Sequence, residues 1–93
     1  MLEKQIENKL TKSVKNHGGI AVKFVSPNYD GMPDRLVLLP DGLCAFVEVK
    51  APDKKPHPLQ KARHKMLKRL GFKVYVLDDA DQIGGIIDEI RTA

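Results

Sequence analysis

Residues 34–50, DRLVLLPDGLCAFVEVK, decide the fold of this chain, because two apolar runs flank Pro40-Asp41-Gly42. Proline pre-sets φ at the start of a turn and glycine permits a positive φ, so these three residues predict a tight turn. The flanking runs, 35–39 and 43–50, have the length and apolar content of strands. The segment therefore predicts an antiparallel β-hairpin.

The length of the turn determines which hairpin residues face each other. With a three-residue loop, Leu39 lies opposite Leu43, and continuing the pairing places Asp34 opposite Glu48. Directly opposed residues share a face of the sheet, with Cβ atoms about 5 Å apart. Strand alternation puts Lys50 on the same face as Glu48 and the valines beside Glu48 on the other. Three charged groups are thus predicted to converge, in a register that a one-residue slip would destroy.

The segment before the hairpin predicts a helix and a strand. Apolar residues recur every four positions over 2–16, with a predicted buried stripe of Leu2, Ile6, Leu10 and Val14. Glu3 and Glu7 lie inside or at the margin of that stripe, where an acid costs free energy unless it has a partner or a metal. The alternative is that they complement the helix dipole, which suits Glu3 better than Glu7. A β-rich run at 20–25 predicts the first strand.

The segment after the hairpin predicts a helix, a strand and a final helix. The first helix covers about 59–70 and buries Leu59, Ala62, Met66, Leu67 and Leu70. A strand follows at 73–77, and strand–helix–strand connections place it parallel to the second hairpin strand. The last helix starts near Asp79 and buries Ile83, Ile86, Ile87 and Ile90. The order αβββαβα predicts one α/β domain over 1–93, with a mixed four-stranded sheet flanked by helices.

Composition limits the classes of partner and location. The 93 residues carry 16 Lys and Arg against 12 Asp and Glu, and the net charge of +4 is compatible with nucleic acid but weak evidence alone. No apolar run approaches the roughly 20 residues of a membrane span, and the N-terminus has no apolar signal core. We therefore expect a cytoplasmic protein with no membrane partner. The single cysteine excludes a cysteine-based zinc cluster.

Other polar residues have a simpler interpretation. The basic residues of the helix at 59–70 are expected to be solvated or, alternatively, to contact phosphates. The histidines do not form a spaced metal cluster, and we expect a solvated role for each of them: His17, His57 and His64.

The converging charges predict a divalent-metal site that hydrolyses a phosphodiester. Asp34 and Glu48 offer carboxylate oxygens, and the backbone carbonyl of Val49 offers a third oxygen, which suits Mg²⁺. Glu3 or Glu7 is expected to reach in from the first helix, directly or through water. Lys50 can orient the attacking water or stabilise the developing negative charge. The simpler alternative is that Glu48 and its lysine form a surface pair worth at most about 1 kcal/mol.

At these residues the sequence resembles a known family. Gly31-Met32-Pro33-Asp34, followed by Glu48-Val49-Lys50, is similar to the signature of PD-(D/E)XK nucleases. The surrounding segments match stand-alone VRR-NUC domains of phages and bacteria in order and over nearly the whole chain: Lys23-Phe24, Ser26-Pro27, Phe46-Val47, Ala51-Pro52, Pro58-Leu59-Gln60 and Gly71-Phe72.

This resemblance implies a restriction-endonuclease-like core and metal-dependent cleavage that leaves a 5′-phosphate. By position in the motifs, Asp34 and Glu48 would be the metal carboxylates and Lys50 the catalytic lysine. Gln60 would support the site. The family's first-helix acid falls on Glu3 or Glu7, and the two spacings that bear on the choice disagree.

The resemblance also implies a substrate and an assembly. Small stand-alone members resemble Holliday-junction resolvases, which act as homodimers because a four-way junction needs two symmetric cuts. We therefore expect a Mg²⁺- or Mn²⁺-dependent endonuclease, selective for branched DNA. A non-catalytic DNA-binding accessory module with the same core is the alternative, and a basic scaffold with no nucleic-acid role is a third possibility.

Overall fold

The computed structural model describes residues 1–92 and confirms the element order αβββαβα. The helices are α1 (Glu3–Asn16), α2 (Pro58–Arg69) and α3 (Ile83–Arg91), and the strands are β1 (Ile20–Lys23), β2 (Arg35–Leu38), β3 (Cys44–Val49) and β4 (Val74–Leu77). Single 3₁₀ turns occupy Pro40–Gly42 and Ala80–Gln82. No helix in the described residues is long and apolar enough to cross a bilayer.

The four strands form one mixed sheet in the order β1-β2-β3-β4. The pairs β1–β2 and β2–β3 are antiparallel, whereas β3–β4 is parallel. The parallel pair follows from the α2 crossover, as the strand–helix–strand rule predicts. The predicted α/β fold is thus confirmed.

The predicted hairpin register is also confirmed. Arg35 pairs with Val47 and Leu38 pairs with Cys44. One step further along, the backbone N–H of Leu39 donates to the carbonyl of Leu43 at 2.8 Å. The turn between them uses positive φ angles of 69° and 74° at its second and third residues. Only the glycine was expected to be left-handed, but aspartate tolerates this region better than most residues.

One face of the sheet carries the main apolar core, against α1 and α3. The α1 residues Ile6, Leu10 and Val14 are fully buried there, together with alternate sheet residues that include Val37 and Val47. The four predicted α3 isoleucines all lie in this core. Leu2 was expected in the same stripe, but it precedes the helix and is 70% exposed. The first strand likewise ends at Lys23 rather than at residue 25.

The opposite face of the sheet is covered by α2 and has a smaller core. Phe46, Leu67 and Val74 are buried there. Phe46 makes edge-on contacts with Phe24 and Phe72, with ring centroids 5.5 and 5.7 Å apart. These aromatic contacts anchor the α2 side of the sheet.

The predicted buried stripe of α2 was largely wrong. Leu59, Ala62 and Leu70 are exposed, and the helix instead buries three residues spaced by four and three positions: Gln60, His64 and Leu67. The physical reason is that two of these side chains are polar and have a buried acidic neighbour in β3. Hydropathy therefore assigned the inward face of this helix to the wrong residues.

Candidate active site

Asp34 is held in place by two backbone hydrogen bonds. It follows Pro33 and directly precedes β2. Its carbonyl accepts from the N–H of Phe24 at 2.7 Å, which ties it to the chain leaving β1. Its Oδ2 accepts from the N–H of Val49 at 2.9 Å, which ties its side chain to the end of β3. The carboxylate is thus fixed beside the last residues of the hairpin.

Glu48 lies next to Asp34 and is only 1% exposed. Its Oε2 accepts from Gln60 Nε2 at 3.1 Å and lies 3.7 Å from Lys50 Nζ. Its Oε1 lies 3.5 Å from His64 Nε2. Glu48 Oε1 and His64 Nε2 are both buried and have no hydrogen-bond partner among residues 1–92. One oxygen of Glu48 is therefore held, and the other keeps free lone pairs.

The pKa of Glu48 is raised to about 8, mainly by burial and in addition by hydrogen bonding and charge repulsion from the neighbouring Asp34 carboxylate. The nearby Lys50 ammonium opposes this shift. Two carboxylates so close together cannot both ionise cheaply, so Glu48 keeps its proton at neutral pH when no cation is bound. Such a pair is a feature of functional sites more often than of surfaces.

Gln60 links the start of α2 to the acidic pair. Its Oε1 accepts from the backbone N–H of His57 at 3.1 Å, and its amide donates to Glu48. The amide is therefore oriented at both ends. The side chain is buried although Gln60 lies in the first turn of α2.

His64 is the residue of this cluster that the sequence analysis missed. It was expected to be solvated, but it is 7% exposed. Burial lowers its pKa, and the charges of Lys68 and Lys50 lower it further, so the ring is neutral at pH 7. The signal that was available is its spacing, since Gln60, His64 and Leu67 share one face of a helix.

The first-helix acids lie apart from the pair. Glu7 Oε2 accepts from Arg35 Nε at 3.0 Å, and the same guanidinium donates to the carbonyl of Ala21 at 3.0 Å. Arg35 pairs with Val47 in the sheet and points to the α1 side, whereas Glu48 points to the α2 side. Glu3 is exposed at the start of α1. Within residues 1–92, no three His, Cys, Asp or Glu side chains lie close enough together to hold a metal ion.

The acidic pair nevertheless suits a divalent cation. Carboxylate oxygens are the ligands that Mg²⁺ and Mn²⁺ favour, and Mg²⁺ usually keeps several waters, so few protein ligands are required. A cation would relieve the repulsion between Asp34 and Glu48. It would also use the lone pairs of Glu48 Oε1, a buried acceptor that otherwise lacks a partner. The carboxylate oxygens of Asp34 and Glu48 therefore fit a divalent cation.

Comparison with known proteins places this chain in a family, although no family model matches it. The chain is 53% identical over 79 residues to "Putative nuclease p44" of Acyrthosiphon pisum secondary endosymbiont phage 1, which covers 85% of each protein. A solved structure described as "VRR_NUC domain" superposes with a TM-score of 0.87 at 29% identity, over 95% of this chain and 97% of that one. With this level of agreement in both sequence and fold, the chain belongs to the VRR-NUC family of nuclease domains.

Proposed function

We propose that this protein is a metal-dependent DNA endonuclease that hydrolyses phosphodiester bonds at Asp34, Glu48 and Lys50 and leaves 5′-phosphates. The observation that carries the proposal is the convergence of two carboxylates and a lysine at the end of β3, with Lys50 Nζ 3.7 Å from Glu48. The buried and partly unsatisfied state of Glu48 supports a chemical rather than a structural role.

Asp34, Glu48 and the backbone carbonyl of Val49 would hold Mg²⁺ or Mn²⁺. When bound, the cation supplies neutralising charge and lowers the pKa of a coordinated water. Glu7 and Glu3 remain candidate ligands from the first helix. The contact with Arg35 engages Glu7 Oε2, so Glu7 would reach the cation through its other carboxylate oxygen, through water, or after it leaves Arg35.

The remaining groups act on the substrate and on the carboxylates. Lys50 places a positive charge beside the reacting phosphate, where it stabilises the charge that develops in the transition state. Gln60 donates to Glu48 and keeps that carboxylate in one orientation. Positioning of this kind by a neighbouring hydrogen bond typically changes metal affinity or activity by about 10–100-fold.

Branched DNA of the Holliday-junction type is the proposed substrate, and a homodimer is the proposed assembly. Two symmetric cuts across a four-way junction require two sites, and residues 1–93 would form one domain that supplies one of them. The comparisons support a nuclease, and the choice of a four-way junction rests on the resemblance of small stand-alone members to Holliday-junction resolvases. Cleavage of such DNA would take place inside a bacterial host cell.

The test is cleavage of a labelled four-way junction beside flapped and linear DNAs, with EDTA, Ca²⁺, Mg²⁺ and Mn²⁺ compared. We expect cutting of the junction with Mg²⁺ or Mn²⁺, and a loss of about 10²–10³-fold or more in Lys50→Ala. Products that DNA ligase can rejoin without a kinase carry the expected 5′-phosphate. Asp88→Asn, an exposed change on α3, is the matched control. Equal cutting by the wild-type protein and Lys50→Ala would indicate a contaminant.

A non-catalytic DNA-binding module is the second candidate function. It is favoured by the placement of Glu7, which is paired with Arg35 and leaves two carboxylates together among residues 1–92. Calorimetric titration with Mn²⁺ separates the two candidates, because a binding module has no need of a metal at Asp34. Heat that appears in the wild-type protein and disappears in Asp34→Asn favours the nuclease.

A further inference from the structure

A cavity of about 390 Å³ lies between α2 and the edge strand β4. Its walls are formed by three lysines together with one histidine and two apolar residues: Pro56, Lys61, His64, Lys65, Lys68 and Val76. No aromatic ring lines it, so it offers no platform for stacking bases. Its chemistry is that of a concave cationic site.

The positive charge of this cavity is not balanced by the protein. The sequence of α2, PLQKARHKMLKR, contains five Lys or Arg and no acid. Lys61, Lys65 and Lys68 are separated by four and three positions, so their like charges repel each other along one helix face. None of the three forms an ion pair within residues 1–92. An anionic ligand would relieve this repulsion.

The cavity adjoins the candidate active site at two points. His64 lines the cavity, and its Nε2 lies 3.5 Å from Glu48 Oε1. Val76 also lines the cavity, and it is the register partner of Glu48 in the parallel β3–β4 ladder. Lys68 lies close enough to His64 for its charge to lower the pKa of the ring. A strand of DNA at Glu48 would therefore have the lysine cavity beside it.

We propose that this cavity binds a backbone phosphate of the DNA substrate, next to the phosphate that is cleaved. The ligand is a phosphodiester held by Lys61, Lys65 and Lys68, since ammonium groups bind phosphate as point charges without reading base sequence. This subsite holds the strand in register with Glu48. Its assignment to DNA rests on the proposed function.

The test measures binding of fluorescein-labelled junction DNA by anisotropy, with Ca²⁺ and over a range of salt concentrations. The pocket variant carries Lys61→Gln, Lys65→Gln and Lys68→Gln. The control carries Lys4→Gln, Lys9→Gln and Lys12→Gln, which remove the same charge from exposed positions of α1 across the sheet. We expect the pocket variant to lose about tenfold or more in affinity, and the slope of log K against log salt to fall by about 2–3. The control should lose less than about threefold.

Several outcomes separate this inference from the proposed function. Equal losses in both variants would mean that only overall charge matters, and would overturn the subsite even if the wild-type protein cuts DNA. A selective loss in the pocket variant supports the subsite, and it does so even if no metal elicits cleavage, in which case only the proposed function fails. Replacement of the same three lysines by arginine should restore binding, which a simple folding defect in the glutamine variant would not allow.

Discussion

The two faces of the sheet are built on different principles. The face against α1 and α3 buries only apolar side chains, several of them completely. The face against α2 contains all three buried polar side chains found in residues 1–92: Glu48, Gln60 and His64. Burying such groups costs free energy unless every one is hydrogen-bonded, and here two of their atoms are not. The comparison indicates that one face supplies stability while the other gives up stability for a buried polar cluster, the candidate active site.

The largest expected effect is on the apolar face. Leu10 is fully buried between α1 and the sheet, so Leu10→Ala should lower the free energy of unfolding by about 2–5 kcal/mol through lost burial and a cavity. Leu70→Ala, at a 65% exposed position on the α2 side, should change it by less than about 0.5 kcal/mol. Urea unfolding of both variants measures the difference. Equal losses would contradict the division between the faces.

The second effect concerns the polar face, where removing a charge should stabilise the protein. The pKa of Glu48 is raised from 4.5 to about 8, so the folded state binds this proton more tightly than the unfolded state between those two values. The contribution of Glu48 to stability is therefore greatest below about pH 4.5 and is lost as pH rises through about 8. In EDTA, Glu48→Gln should be more stable than the wild-type protein at pH 8.5, by on the order of a few kcal/mol.

Urea unfolding at pH 5 and pH 8.5 checks this prediction. His64 has a lowered pKa, so its contribution to stability is lost as pH falls below about 6.5, in the opposite direction. The difference between the wild-type protein and Glu48→Gln isolates the carboxyl, because the histidine is common to both. Asp88→Asn, whose carboxyl is exposed, should follow the wild-type curve. A pH dependence that is identical in Glu48→Gln and the wild type would show that Glu48 is ionised in the folded protein.

The contrast between the faces also explains what the sequence could reveal. The Pro40-Asp41-Gly42 turn determined the hairpin register, and the α3 isoleucines were identified from spacing alone, because both depend on local geometry and hydropathy. Gln60 and His64 resemble surface residues by hydropathy. Their burial depends on Glu48, a neighbour from another element, and no local pattern contains that information. Sequence periodicity therefore succeeded on the apolar face and failed where polar groups are buried together.

The contact between Glu7 and Arg35 could not be predicted from the sequence, because it also depends on a neighbour from another element. Loss of this contact gives the smallest predicted effect. The spacing of Glu7 places it at the margin of the α1 stripe, but only the folded sheet brings Arg35 within 3.0 Å. The pair is partly exposed, so Glu7→Gln should cost about 0.5–1 kcal/mol in urea unfolding, and Arg35→Gln a similar amount. Glu3→Gln, at an exposed position, should cost less.

Mn²⁺ titration of Glu7→Gln, Arg35→Gln and Glu3→Gln tests whether Glu7 only stabilises the fold or also binds the metal. If Glu7 only joins α1 to the sheet, Glu7→Gln binds Mn²⁺ as the wild-type protein does, and its sole effect is the small loss of stability. If Glu7 leaves Arg35 to join the acidic pair, Mn²⁺ affinity should fall by about tenfold or more, whereas Arg35→Gln should not weaken it. A fall in affinity would mean that metal binding moves the Glu7 side chain from the α1 side of the sheet to the acidic pair. The division between the two faces would then hold only without metal. Unchanged affinity in both Glu7→Gln and Glu3→Gln would leave Asp34 and Glu48 as the complete set of acidic ligands.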